Sequence, residues 1–121
     1  MIDELPAVLA RLSEHHPVVV IDAYLAVFLP PERRADLLAI LQQAGRARPV
    51  TWLSLDPLVP LGPPGRDSVQ ELALPPSLIA GYQRDGVFAV LGARTFDRGD
   101  DHARPLARAH PSGRWIEWLG Q

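Results

Sequence analysis

Two aspartates stand where apolar runs end: Val18-Val19-Val20-Ile21 meets Asp22, and Val50-Thr51-Trp52-Leu53-Ser54-Leu55 meets Asp56. A carboxylate at the carboxyl end of a strand lies where open α/β sheets gather their ligands, and it can accept hydrogen bonds or carry a proton. The same residue can instead serve locally, capping the next turn or accepting nearby backbone N–H groups, and that role needs no ligand. Tyr24 follows Asp22 by two positions. His110, ahead of the turn Pro111-Ser112-Gly113, is of the type that moves protons near neutral pH, and Arg114 beyond the turn can fork onto a carboxylate or phosphate. Asp22, Tyr24, Asp56, His110 and Arg114 are therefore the candidate ligand-binding residues, with no catalytic role assigned to any.

Other chemistries fit less well. Ser54 or Ser112 with His110 and Asp22 would supply a nucleophile, a base and an acid, but no G-x-S-x-G turn exists to expose the serine. The four histidines have no recognised ligand spacing, and the adjacent His15 and His16 would point about 100° apart on a helix, so no metal is expected. With no cysteine there is no disulfide, thiolate zinc site or thiol nucleophile. All 12 basic residues are arginine, which excludes a Schiff-base lysine and a phosphate-loop lysine. An arginine-only chain rich in Ala, Pro and Gly also fits a GC-rich genome. The net charge of −2 and pI near 6.0 give no electrostatic pull towards nucleic acid.

The 121 residues, 47% hydrophobic and 21% charged, make one domain spanning 1–121. The opening Met1-Ile2-Asp3-Glu4 lacks a basic start and a signal-length apolar core, and no run approaches the ~20 apolar residues of a membrane span. The expectation is a cytoplasmic chain with no membrane partner.

The elements that must position the candidates follow from periodicity. Leu5, Val8, Leu9 and Leu12 form one stripe, predicting a helix over 3–15 started by Asp3 and ended at His15-His16-Pro17. The run 18–21 shows no alternation and predicts a strand covered on both faces, as in a parallel sheet with helices above and below. Pro31 opens a second helix over 31–44, with Glu32 in its first turn and Gly45 as C-cap. The stretch 49–55 is the second strand. Strand, helix, strand at this spacing is a right-handed crossover with parallel strands, so Asp22 and Asp56 would project towards one crevice. Residues 57–68, dense in proline and glycine, read as a loop at its rim; 69–74 reads as a short strand, and 76–82 as a turn of helix or a loop. Three extended stretches, 87–96, 102–110 and 114–119, joined by short turns, form an antiparallel meander. In the second of these, His102, Arg104, Leu106, Arg108 and His110 would share one face, either a basic surface or the wet side of the sheet. Trp115 and Trp118 would flank the last strand on opposite sides.

The phrases Ile21-Asp22-Ala23-Tyr24, Phe28-Leu29-Pro30-Pro31-Glu32-Arg33, Pro49-Val50-Thr51-Trp52-Leu53-Ser54 and Ala109-His110-Pro111-Ser112-Gly113-Arg114-Trp115-Ile116-Glu117-Trp118 resemble the C-terminal half of an uncharacterised bacterial domain-of-unknown-function family. That half is similar to the later strands of class I S-adenosylmethionine-dependent methyltransferases. The resemblance implies a truncated Rossmann-like, three-layer α/β half domain, a parallel βαβ unit followed by the meander. It also implies that Asp22-Ala23-Tyr24 matches a segment facing the substrate. The Gly-rich loop and acidic residue that hold the cofactor in those enzymes precede the region seen here, and no G-x-G-x-x-G follows a strand in this chain, so no cofactor is expected for it alone.

Two functional readings follow. A half domain that is non-catalytic on its own would act by self-association, a homodimer or a partner chain covering the exposed sheet edge. Alternatively, a small-ligand binder or methyltransferase would use Asp22, Tyr24, Asp56 and His110, with its cofactor half supplied in trans. Nucleic-acid binding has the least support.

Overall fold

The computed structural model describes residues 2–57 and 72–120. A short 3-10 turn, Ile2–Glu4, runs into helix α1 (Leu5–Ala10). Strand β1 (Val18–Ala23) is followed by a 3-10 turn at Ala26–Phe28 and by α2 (Pro31–Ala44). Next come β2 (Val50–Pro57), α3 (Pro76–Asp85), β3 (Ala89–Asp97), β4 (Asp100–Ala109) and β5 (Ile116–Trp118). The strands form one open sheet in the order β1-β2-β3-β4-β5. The β1–β2 pair is parallel and every later pair antiparallel.

Register sorts the side chains. Val18 and Val20 of β1 stand beside Val50 and Trp52 of β2, and Phe96 of β3 stands beside Val50, all on one face. Leu37 and Leu41 of α2 and Leu9 of α1 bury this face. Val90 lies on it too, six residues before Phe96 on the same strand, and there meets Leu78 of α3, Leu72 and Phe88. All three helices thus rest on one side of the sheet. The expected three layers are two among the described residues, and β1 is covered on one face instead of both. Its outward residues Val19 and Ile21 are 55% and 74% exposed.

Several boundaries moved for local reasons. The first helix stops at Ala10, because Arg48 takes the carbonyls of Leu9 and Leu12 and the Ser13 hydroxyl accepts the His15 N–H. Asp3 does not cap it: its carboxylate pairs with Arg33 of α2 at 2.8 Å. His15 and His16 lie beyond the helix, exposed. Pro31 does begin α2, which ends at Ala44 as the spacing predicts. Gly45 is its C-cap, the N–H bonding back to the Leu41 carbonyl, but with an ordinary right-handed backbone in place of the left-handed one its position suggests. It is required by proximity: a Cβ there would sit 2.5 Å from Phe96 Cβ and 2.9 Å from the Phe96 carbonyl oxygen.

The short segment at 76–82 is a full helix, α3, reaching Asp85. The loop expected at 57–68 falls, from 58 onward, outside the described residues, as does the first half of the strand expected at 69–74; residues 72–75 have no regular structure. The shared face from His102 to His110 is broken by a register shift opposite Leu91 and Gly92, which sets Arg104 beside Ala93 and Arg108 beside Val90 on opposite faces. An extra residue in one strand does this by reversing the alternation beyond it. β5 is an exposed edge, so Trp118, 65% exposed, is not flanked by a further layer.

Candidate functional site

β1, β2 and β4 point the same way, so their carboxyl ends collect Asp22, Tyr24, Asp56 and His110 at one end of the sheet. Asp22 pairs in register with Ser54, and Asp56 lies two residues further along β2, so all three side chains fall on the helix-bearing face. Ser54 Oγ lies 3.1 Å from Asp22 Oδ1 and hydrogen-bonds Asp56 Oδ2. The Trp52 indole N–H donates to Asp22 Oδ2, and Asp56 Oδ1 accepts the Val27 backbone N–H at 3.2 Å, fixing the 3-10 turn over the strand ends. Asp56 is 2% exposed and Ser54 fully buried.

This network holds a buried carboxylate, Asp56, close to a half-buried one, Asp22, with no cation bonded to either among the described residues. Burial is the main reason the Asp22 carboxyl is pushed above the ordinary aspartate value, with the Asp56 charge adding to it; the Trp52 and Ser54 hydrogen bonds oppose the shift. Tyr24 is raised as well, by burial and then by Asp56. Tyr24 leaves β1 with φ of 60°, a left-handed conformation uncommon for a bulky residue, and its hydroxyl donates to the Pro111 carbonyl at 2.9 Å. That bond ties the end of β1 to the turn after β4. In the turn, His110 Nδ1 accepts from the Ser112 N–H at 3.0 Å and lies 2.8 Å from Ser112 Oγ, while the ring meets Trp115 edge-on. Nδ1 therefore acts as an acceptor, which leaves the ring proton on Nε2. Arg114 is exposed beside this turn.

The structure thus brings Asp22 and Asp56 together through Ser54, and links Tyr24 to the His110 turn. No hydrogen bond joins His110 or Arg114 to the aspartates. Sequence reasoning considered Ser54 only as a nucleophile; its bridging place follows from the Asp22–Ser54 register, which a single strand does not display. The pocket touching Asp22 has a volume of about 110 Å³ and is otherwise lined by apolar residues such as Ile2, Leu5, Leu37 and Trp52. Small-molecule sites occupy roughly 300–1,000 Å³, so this is a dent rather than a substrate chamber. Nor do these residues fit a nucleoside cofactor: Asp56 is sealed in, Asp22 is committed to Trp52, and β1 is followed by Tyr24, not by a glycine-rich turn. Among the described residues no group of three or more metal-ligating side chains converges, and no helix is long and apolar enough to cross a membrane.

These features define a mixed α/β protein with an open five-stranded sheet, covered on one side among the described residues, and a knitted carboxylate pair at the ends of its parallel strands. The chain belongs to a family described as uncharacterized protein conserved in bacteria (DUF2332), whose model matches residues 1–118. No curated protein and no solved structure matches it.

Proposed function

We propose that this chain is a methyltransferase-like half domain, non-catalytic on its own, that works in the cytoplasm by association, a second copy or a partner chain completing its sheet at β1. The observation that carries this reading is the mismatch within β1: an apolar run, Val18 to Ile21, whose outward residues Val19 and Ile21 stay exposed. Val18 N donates to Pro49 and Tyr24 N to Leu55, so the even-numbered residues bond to β2. By alternation, Val19, Ile21 and Ala23 present their N–H and C=O groups to the open edge as well as their side chains to the uncovered face. An apolar, uncharged edge of this kind is a template for another strand. Fully burying a Val or Ile side chain contributes about 1.5–3 kcal/mol, so covering both supports a specific contact.

The test is the mass of the full chain by light scattering over a concentration series, alone and with the product of an adjoining reading frame, beside Ile21→Lys. A mass that rises for the wild type and not for the variant is expected. A wild-type chain that stays monomeric under both conditions overturns the reading.

A second reading has its own observation, the Asp22–Ser54–Asp56 network at the parallel strand ends with Asp22 inclined to hold a proton. In this version the cofactor half arrives in trans, and Asp22 with Tyr24 faces the substrate. A thermal-shift titration with S-adenosylmethionine, on the chain with and without its partner, tests it; no shift in either case removes it.

A further inference from the structure

Between α1 and α2 runs a groove of about 540 Å³ whose walls include Leu9, Ala39, Ile40 and Ala44. This volume lies within the roughly 300–1,000 Å³ range of small-molecule sites, unlike the dent at Asp22. Arg48, between α2 and β2, also lines the groove and is only 4% exposed. Its Nη1 and Nη2 donate to the carbonyls of Leu12 at 2.9 Å and Leu9 at 2.6 Å, while its buried Nε has no hydrogen-bond partner. Every ion pair seen among the described residues belongs to another arginine. The Leu9 carbonyl lies in the last turn of α1 and that of Leu12 just beyond it, and a helix end carries about half a unit of negative charge at most. A substantial part of the guanidinium charge is therefore left without a counterpart in a setting where unpaired charge is costly.

We propose that this groove binds a small amphipathic monocarboxylate, its apolar body lying along Leu9, Ile40 and Ala44 and its carboxylate turned to Arg48. Charge selects the class. A neutral ligand leaves the guanidinium as it is and a cation adds to it, whereas a carboxylate matches the guanidinium, which keeps N–H donors beyond the two given to the Leu9 and Leu12 carbonyls. The small side chains of Ala39 and Ala44 leave the room an alkyl or aryl body needs. Glu14, exposed, lines the same groove. Its negative charge opposes an incoming anion, and that sets the sign of one test.

Octanoate is titrated into the full chain by calorimetry, beside octanol and octylamine as probes of matched length. Saturable binding of octanoate is expected, with octanol at least about tenfold weaker and octylamine not bound. Ala39→Trp, on the exposed rim, should fill the groove and abolish the binding while moving the melting temperature by no more than a few degrees. Glu14→Gln should tighten octanoate severalfold. Arg48→Met should lose the ligand but also removes the guanidinium bonds to the Leu9 and Leu12 carbonyls, so the decision rests on the other two variants. Equal affinity for octanoate and octanol, or binding untouched by Ala39→Trp, overturns the proposal. So does a Glu14→Gln chain that is less stable with unchanged affinity, since Glu14 would then be the partner Arg48 already has.

Discussion

Ser54 has one hydroxyl proton and two carboxylate oxygens within hydrogen-bond reach. It can donate to only one of them at a time, and a proton on the other carboxyl would turn the second contact into a hydrogen bond as well. Of the two carboxyls at Ser54, Asp22 is the one whose protonation the fold favours, because burial pushes it above the ordinary aspartate value. The sign of the pH dependence follows. A carboxyl whose folded value is raised contributes stability that is complete below the unfolded value of 3.8 and is lost as pH climbs through the folded value. Asp85, held at about 2 chiefly by Arg84 and Arg108, and Asp3 and Asp101, lowered by Arg33 and Arg94, act the other way: their contribution is present above 3.8 and lost in acid. Comparing variants separates the two. Asp22→Asn keeps an acceptor for Trp52 and a permanent donor for Ser54, so urea unfolding should show it gaining on the wild type as pH rises above 3.8, and a parallel pair of curves would refute the shared proton. Ser54→Ala leaves two carboxylates facing without a bridge and should cost about 1–3 kcal/mol in the same assay. The two aspartates were legible as strand ends, and their meeting at one end of the sheet followed from parallel pairing. Their bridge was not legible, because it depends on Asp22 and Ser54 being opposite one another across two strands.

At the scale of elements, the parallel pair, the span of α2 and the meander could all be read from periodicity and from proline, since each rests on backbone chemistry within a single segment. What failed were features set by a neighbouring segment. α1 is cut short by Arg48, from 36 and 39 residues away, and the arginine face of β4 is divided by a bulge defined only against β3. Gly45 is an instructive middle case, correctly marked as special but for a different reason. Its conformation suits any residue, yet α2 meets β3 so closely there that a methyl group would collide with the Phe96 backbone, which cannot swing aside. Gly45→Ala should therefore destabilise by about 1–3 kcal/mol, where a helix-propensity argument would expect a gain. Burial gives a second contrast. Leu41, fully enclosed between α2 and the sheet, should cost about 2–5 kcal/mol as Leu41→Ala. Ile21→Ala, on the bare face of β1, should fall within about 0.5 kcal/mol in the isolated chain. Chemical denaturation of the two variants under dilute conditions measures both.

For the molecule as a whole, the described helices gather on one face and leave β1, among the described residues, with an open edge and an uncovered side, and an associating partner would have either to use. Three consecutive valines and an isoleucine suggested two-sided cover; the described residues supply half of it, and the remainder is what a second chain would provide. Edge and face can be told apart at one residue, because Ile21 presents its N–H to the edge and its side chain to the bare face. Ile21→Ser removes the apolar side chain but keeps the N–H, so it weakens association driven by surface burial while leaving strand pairing intact. Ile21→Pro keeps an apolar ring on the face and removes the outward N–H; since that group makes no bond to β2, the fold tolerates the change as edge strands generally tolerate proline. If a strand docks on β1, Ile21→Pro should abolish the concentration-dependent rise in mass, with circular dichroism unchanged, and Ile21→Ser should only weaken it. The reverse ranking would mean that the partner lies flat on the exposed face, and β1 would then end the sheet in the assembly as it does in the single chain.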